Sequence, residues 1–266
     1  MLTLFLNKGI LSVDIINLNR DYWTHRAVSY SAQNRAELFS DQKEKWQDYL
    51  CETLKKHFPD KEPEQLNILE TGTGPGFLSI ILAEAGYNMT AIDLTPAMLK
   101  KAKENAGEFS ASIKFIEMNA EDLQFFSNTF DAVVTRNLTW DLPHPDVFYK
   151  EIYRVLKPGG MLINFDANWY RYLFDEEAMT GFEEDRENAK KKNVEEMFII
   201  PGGEKMEDIA RRIPMSKALR PGWDIKTLSA LGMKVKADET IFDRVWTDEE
   251  KINFRSTPLF VVKAVK

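Results

Sequence analysis

Gly72, Gly74 and Gly76 alternate with Thr73 and Pro75 between Asn67-Ile68-Leu69-Glu70 and the apolar run Phe77-Leu78-Ser79-Ile80-Ile81-Leu82-Ala83. The first segment reads as a short buried strand, and the second repeats its apolar positions at helical spacing. A strand that turns through three glycines into a helix lets backbone approach a ligand and offers it free N–H groups. The spacing narrows the ligand. A pyrophosphate is held by G-x-G-x-x-G, whereas here the pattern is G-x-G-x-G and Phe77 stands where the third glycine would fall. Glu70 adds a carboxylate on the lip of the loop, which repels an anion and welcomes a cationic amino group. A nucleoside carrying positive charge suits such a loop better than a phosphate does.

Further segments extend the pattern. Met89-Thr90-Ala91-Ile92-Asp93 ends a second strand on an acid, and Asn119-Ala120-Glu121-Asp122-Leu123 follows a third. Phe130-Asp131-Ala132-Val133-Val134 is followed by Arg154-Val155-Leu156-Lys157-Pro158-Gly159-Gly160. In this order and at these separations, over about residues 66 to 168, the chain resembles the class I S-adenosylmethionine-dependent methyltransferases of small-molecule type. The resemblance implies S-adenosyl-L-methionine as methyl donor and S-adenosyl-L-homocysteine as product. It also assigns roles. Gly72, Thr73, Gly74 and Gly76 approach the donor's methionyl part and ribose, and Glu70 attracts its amino group. Asp93 accepts from both ribose hydroxyls, as an ionised carboxylate can. Leu94 and Met98 pack on adenine, or Met98 is simply core. Asn119 stands where many relatives carry Asp; its amide oxygen accepts from the adenine amine, with the Asp122 side chain as a second option. Ala120 and Glu121 contact the ring edge.

By the same resemblance, the segment around Tyr22, Trp23, Arg26 and Tyr30 covers the donor and shapes the acceptor pocket. Tyr22 and Arg26 are donor contacts, with Arg26 offering a guanidinium fork to the donor's carboxylate; the alternative is that the aromatics only pack a helix on the sheet. After strand four comes Arg136-Asn137-Leu138-Thr139-Trp140-Asp141-Leu142-Pro143-His144-Pro145, with Arg136 and Asn137 as further donor contacts. Asn137 lies where amino- and DNA-methylating relatives carry an Asn/Asp-Pro-Pro-aromatic motif, but the two prolines are missing. The candidate catalytic residues are Tyr30, Trp140 as a pocket wall, and His144. His144 could serve as a general base near neutral pH, or only begin the following helix.

The elements that must position these residues alternate strand with helix, which argues for a parallel sheet with its ligand at the strand carboxyl ends. Strands are expected at 66–71, at Met89–Asp93, from Ile113 to Met118, from Ala132 to Thr135 and from Met161 to Phe165. Thr95-Pro96 opens a helix buried through Met98, Leu99, Ala102 and Ala106. A last helix lies near Trp223 to Gly232, and two antiparallel strands follow, Val235 to Phe242 and Leu259 to Val265. The expected fold is α/β: a doubly wound, mostly parallel seven-stranded sheet (Rossmann-like methyltransferase fold), with an N-terminal helical segment and a helical insertion after strand five. Residues 1–60 form an N-terminal arm and helical lid segment, and 61–168 plus 222–266 the donor-binding core. Residues 169–221 form a lid or substrate insertion longer than an ordinary connection.

Within the N-terminal part, residues 1–20 read as an arm lying on the body or on a second subunit, and a helix starts near Asp41. Its Trp46, Leu50, Leu54 and Phe58 recur every four residues, with Cys51 on or beside the packed face. The insertion reads as a charged helix from Glu183 to Met197, a break at Pro201-Gly202-Gly203 and an amphipathic helix through Met206, Ile209, Ala210 and Ile213. Trp169, Tyr170, Tyr172, Phe174, Met197, Phe198 and Trp223 line an acceptor pocket or fasten the insertion to the core.

Composition bounds the partners. The 266 residues carry a net charge of −7, with a pI near 5.2, so no strong positive field gathers a nucleic acid backbone. Cys51 is the only cysteine, which excludes an internal disulfide or multi-cysteine metal site and suits a reducing cytoplasm. The first twenty residues lack the pattern of a signal peptide, and Asn7, Lys8 and Asp14 interrupt any spanning helix. The expectation is a cytoplasmic enzyme, monomer or homodimer, with no nucleic acid, membrane or metal, that methylates a small molecule on N, O or S by in-line displacement. The alternatives are an RNA or protein methyltransferase, a non-catalytic donor-binding protein and, on glycine spacing least favoured, a nicotinamide oxidoreductase.

Overall fold

The computed structural model describes residues 2–198 and 202–266, with side chains from residue 15 onward. Five strands in parallel form its centre: β1 (Asn67–Thr71), β2 (Asn88–Asp93), β3 (Ile113–Glu117), β4 (Phe130–Arg136) and β5 (Leu156–Asp166). β6 (Lys234–Asp238) and β7 (Phe260–Val265) complete a sheet of order β3-β2-β1-β4-β5-β7-β6, with β7 antiparallel to both β5 and β6. The chain winds one way from β1 through β2 to β3, then returns to place β4 on the other flank of β1. A crevice opens where the winding reverses, at the carboxyl ends of β1 and β4.

Alternation along the central strands explains why both faces are covered. Ile68, Ala132, Val134, Ile163 and Phe165 face one core, with Trp46, Leu50 and Leu54 of α2 (Gln42–His57) and Leu78 and Ile81 of α3 (Phe77–Glu84). Leu69, Val133 and Leu162 face the other, with Phe148, Tyr149, Ile152 and Val155 of α5 (Pro145–Val155). Each large side chain so buried contributes about 1.5–3 kcal/mol. α4 (Pro96–Ala106) starts at Pro96 behind Thr95 and buries Met98, Leu99, Ala102 and Ala106. Cys51 lies half-buried against the first core, its thiol pushed up by that burial.

Several boundaries differ from the sequence expectation. α1 runs unbroken from Leu2 to Leu38, so Tyr22, Trp23, Arg26 and Tyr30 lie within a helix rather than before one. The backbone expected to be an arm is its first part; the side chains of residues 1–14 lie outside the described residues. In the insertion, the charged helix α6 spans Glu176–Lys191 instead of Glu183 to Met197. Asp175 caps it early by accepting from Ala178 N–H at 3.0 Å, and Asn193 turns out of it at φ 54°. Of the expected break, Pro201 lies outside the described residues, and Gly202 opens α7 (Gly203–Ala210). After α8 (Gly222–Ala230), the two last strands are not a tight hairpin. β6 stops at Asp238, Phe242 begins α9 (Phe242–Val245), and α10 (Asp248–Asn253) follows under a Thr247–Glu250 capping box. No helix among the described residues is long and apolar enough to cross a membrane.

A buried polar cluster fixes the loop after β4. Arg220, itself fully buried, donates to Asp166 at 2.6 Å and to Asp224 at 2.8–3.2 Å. The Asp166 carboxylate accepts Trp140 N–H at 3.0 Å, and Asn164 reaches the Thr139 hydroxyl at 2.9 Å. Breaking a buried ion pair costs about 3–5 kcal/mol, so residues 139–141 are held firmly above β4 and β5.

Candidate active site

The glycine loop is organised from inside by Glu70. Its carboxylate is buried, not on the lip of the loop. One oxygen accepts from the Thr73 hydroxyl at 2.6 Å, from Ser79 N–H at 2.9 Å and from the Ser79 hydroxyl. Burial pushes this carboxyl up to about 7 against those bonds. Thr73 accordingly turns inward, and with Glu70 it borders a small recess beside Tyr30 and Arg136. Gly74 takes φ 51°, and a Cβ there would lie 3.5 Å from Tyr30 Cε1. Gly76 takes φ 96°, and its Cβ would meet Ala102 at 3.1 Å, so Gly76 serves the packing of α3 on α4 and not the crevice.

The crevice holds about 110 Å³ and is lined by Gly72, Gly74, Asp93, Leu94, Met98, Asn119, Ala120, Glu121, Arg136 and Asn137, as the sequence suggested. Asp93 uses one oxygen for Gly74 N–H and the other for Thr95 N–H, both at 2.8 Å, and burial pushes its carboxyl up. Each oxygen keeps a further lone pair. Asn119 already spends its oxygen on Glu121 N–H at 2.9 Å, so an adenine amine would share that atom. Arg136 pairs with Glu37 of α1 at 2.6 Å and rests on the rings of Trp46 and Phe77, while its Nη1 is buried with no partner among the described residues.

These features fit an S-adenosyl nucleoside. Gly72 and Gly74 admit it to the backbone, Asp93 has acceptors for vicinal hydroxyls, and Leu94, Met98, Met118 and Leu142 offer apolar faces to a base. The orphaned Arg136 Nη1 suits a carboxylate.

Other expected contacts fall elsewhere. Asp122 is exposed and accepts from Gln124, because Leu123 turns inward instead. Tyr22 is buried on the insertion side of α1 and lines neither the crevice nor the cavity beyond it. His144 does not line them either. It precedes Pro145 at the start of α5, and Glu121 holds both its N–H, at 2.6 Å, and its Nδ1, at 3.1 Å. The general-base assignment therefore has no geometric support, and the helix-opening alternative describes the residue.

Asp141 carries a role the sequence did not single out. Its carboxylate accepts from Trp23 Nε1 at 2.6 Å and its carbonyl accepts from Asn19 at 2.8 Å, while Oδ1 has no partner among the described residues. Burial pushes it up to about 7, against the Trp23 and Asn19 hydrogen bonds. The partners lie 118 and 122 residues away in the chain, so only the aspartate's place in a loop after a strand could have hinted at this.

A second cavity of about 180 Å³ adjoins the crevice, sharing Trp23, Tyr30 and Asn137 with it. Its walls are Trp140, Trp169, Tyr170, Met197, Phe198 and Phe254, with Arg26 and Gln33 from α1. Arg26 thus faces this cavity and not the crevice. Of the insertion aromatics, Tyr172, Phe174 and Trp223 do not reach it. Asn137, at φ 56°, joins the walls: its carbonyl accepts from Trp140 Nε1 at 2.9 Å and its side-chain oxygen from Trp169 Nε1 at 3.2 Å.

Known proteins resemble this chain in sequence and in fold. Residues 69–164 match the model of a methyltransferase domain family. The ubiquinone/menaquinone biosynthesis C-methyltransferase UbiE of Agrobacterium fabrum is 36% identical over 123 residues, 44% of this chain and 46% of that protein. The 2-methyl-6-phytyl-1,4-hydroquinone methyltransferase of Synechocystis is 36% identical over 110 residues, 41% of this chain and 34% of that protein. The chain spans about half the length of the curated relatives it matches. In fold, it resembles a SAM-dependent methyltransferase from Aquifex aeolicus, with TM-score 0.54 and 18% identity over 91% of this chain and 97% of that one. The plantazolicin methyltransferase BpumL, solved with SAH and a triazolic desmethylPZN analog, gives TM-score 0.58 and 13% identity over 98% of both chains. Residues 69–164 thus match a methyltransferase domain, and the fold around them is that of S-adenosylmethionine-dependent methyltransferases.

Proposed function

We propose that this protein transfers the methyl group of S-adenosyl-L-methionine to a small-molecule acceptor held in the aromatic cavity. The observation that carries the reading is the meeting of two cavities at Trp23, Tyr30 and Asn137: one shaped for the donor nucleoside, the other walled by rings. Bound in the crevice, the donor supplies a methyl group on a sulfonium, an excellent leaving group. The protein's part is to hold the acceptor's lone pair in line with that methyl and to exclude water. Asp93, the glycine loop and Arg136 position the donor; Tyr30, Trp140 and Asn137 form the wall between the sites. Positioning of this kind is worth about 7–11 kcal/mol at best.

The relatives support a small acceptor, since two of them are named for quinone biosynthesis and a hydroquinone. The single cysteine supports a reducing cytoplasmic setting. The test is incubation with donor labelled in the methyl group and a metabolite extract, with products read by mass. A labelled small molecule formed by the protein, and absent with Asp93→Ala, is the expected result. Label appearing only in RNA or protein would refute the reading, as would tighter calorimetric binding of NADH than of the donor.

A further inference from the structure

Arg26 differs from the chain's other buried arginine. Arg220 has two carboxylates against it. Arg26 is 7% exposed, yet no carboxylate lies within ion-pair distance of it among the described residues. Its Nη1 donates to the Ser29 hydroxyl at 2.9 Å, the Tyr22 hydroxyl is a second neutral neighbour, and its Nε is buried with no partner among the described residues. A guanidinium so placed carries a desolvation cost that two neutral hydroxyls offset only in part and that no carboxylate among the described residues meets. It lines the aromatic cavity, where Trp140 and Tyr170 lie 5.0 Å apart and tilted by 31°. The donor's own carboxylate is better served by Arg136, which lines the crevice that Arg26 does not.

Resting on the proposed methyl-transfer function, we propose further that the acceptor is a flat aromatic carboxylate, its ring between the cavity's aromatic walls and its carboxylate on Arg26. The guanidinium fork matches a carboxylate in two parallel hydrogen bonds. A negative acceptor is also drawn toward the donor's sulfonium charge across the shared wall of Trp23, Tyr30 and Asn137.

The experiment saturates the protein with S-adenosylhomocysteine, then titrates benzoate, 4-hydroxybenzoate and indole-3-carboxylate, each against its neutral amide. Binding is followed through the tryptophan fluorescence of Trp23, Trp140 and Trp169. The expected result is at least a tenfold preference for one or more acids over the matching amide. Arg26→Gln removes that preference, Arg26→Lys keeps part of it, and both leave S-adenosylhomocysteine affinity within threefold of wild type. Equal binding of acid and amide, or no binding of any acid, overturns the proposal while leaving the methyltransferase reading intact. A preference that survives in Arg26→Gln overturns it too, and a tenfold loss of S-adenosylhomocysteine affinity in that variant assigns Arg26 to the donor instead. Failure of wild type to bind S-adenosylhomocysteine at all refutes both. Should Arg26→Gln not fold, the wild-type comparison of acid with amide and the Arg26→Lys variant decide the matter.

Discussion

Replacing Asp93 with alanine separates a structural role from a ligand-binding one. The carboxylate tethers Gly74 N–H and Thr95 N–H, each at 2.8 Å. Losing it leaves two part-buried donors unpaired, at about 1–3 kcal/mol each. Removal of a buried acid whose charged form is disfavoured by desolvation offsets part of that. A domain with about 5–15 kcal/mol of stability therefore survives the change, with a lowered melting temperature. Binding suffers more. Two charge-assisted hydrogen bonds to ribose hydroxyls contribute about 1.5–3 kcal/mol each, which together correspond to roughly a hundredfold to ten-thousandfold loss of affinity. Calorimetry with S-adenosylhomocysteine measures the loss, and circular dichroism confirms that the variant is folded. 5′-Methylthioadenosine and its 2′-deoxy analogue locate it: wild type discriminates between them and Asp93→Ala does not. A folded Asp93→Ala that binds S-adenosylhomocysteine within threefold of wild type would refute the site assignment.

Gly74→Arg should abolish donor binding while costing about 1–2 kcal/mol of stability for a side chain at φ 51°; undiminished calorimetric affinity would contradict the crevice geometry. Glu70 makes a pH prediction. Its carboxyl stands at about 7 in the fold against an ordinary 4.5, so the folded state holds the proton more tightly than the unfolded one. The corresponding stability, about 3 kcal/mol, is fully present below pH 4.5 and is lost as pH rises through 7. Melting temperatures measured across this range should fall as pH rises through 7 in wild type and not in Glu70→Gln; the same slope in both would refute the assignment. His144→Ala should leave kcat within threefold of wild type because the ring reaches neither cavity; a hundredfold fall would restore it as a base.

What could be read from the sequence was local. The glycine loop, the Asp93 strand end and the Thr95-Pro96 helix start are each set by neighbours within a few residues, and all three stand where the spacing put them. Met98 could be given two roles from sequence, core or adenine contact, and its place leaves both open: it is buried in the face of α4 and borders the crevice. Contacts over long separations were not legible. Glu70 was expected to face a ligand, but its orientation depends on Ser79, which only the folded turn brings to it. Trp23 and Asp141 meet because α1 crosses the end of β4, and no pattern in either segment announces the other. Asp122 and His144 failed for a related reason: chemistry-bearing residue types near a strand end need the right turn as well, and Leu123 and Pro145 take the inward-facing positions.

Helix α1 supplies one wall to both cavities. Asn19, Trp23, Arg26, Tyr30 and Gln33 follow one another at intervals of four, three, four and three residues, the repeat of a single helix face. Asn19 and Trp23 line the crevice, Arg26 and Gln33 the aromatic cavity, and Tyr30 both. A face of this mixed polar and aromatic character is unsuited to an apolar core, but it suits a wall shared by a nucleoside and a ring. Two hydrogen bonds to the Asp141 residue and the Glu37–Arg136 ion pair seat the helix over the strand ends. α7 of the insertion packs against it from the other side. With α1 seated, the aromatic recess of about 180 Å³ lies beside the crevice and shares Gln33, Trp169, Met197 and Phe254 with a wider cleft of about 630 Å³. The elements outside the sheet therefore wall the second cavity, while the sheet ends and the glycine loop shape the crevice.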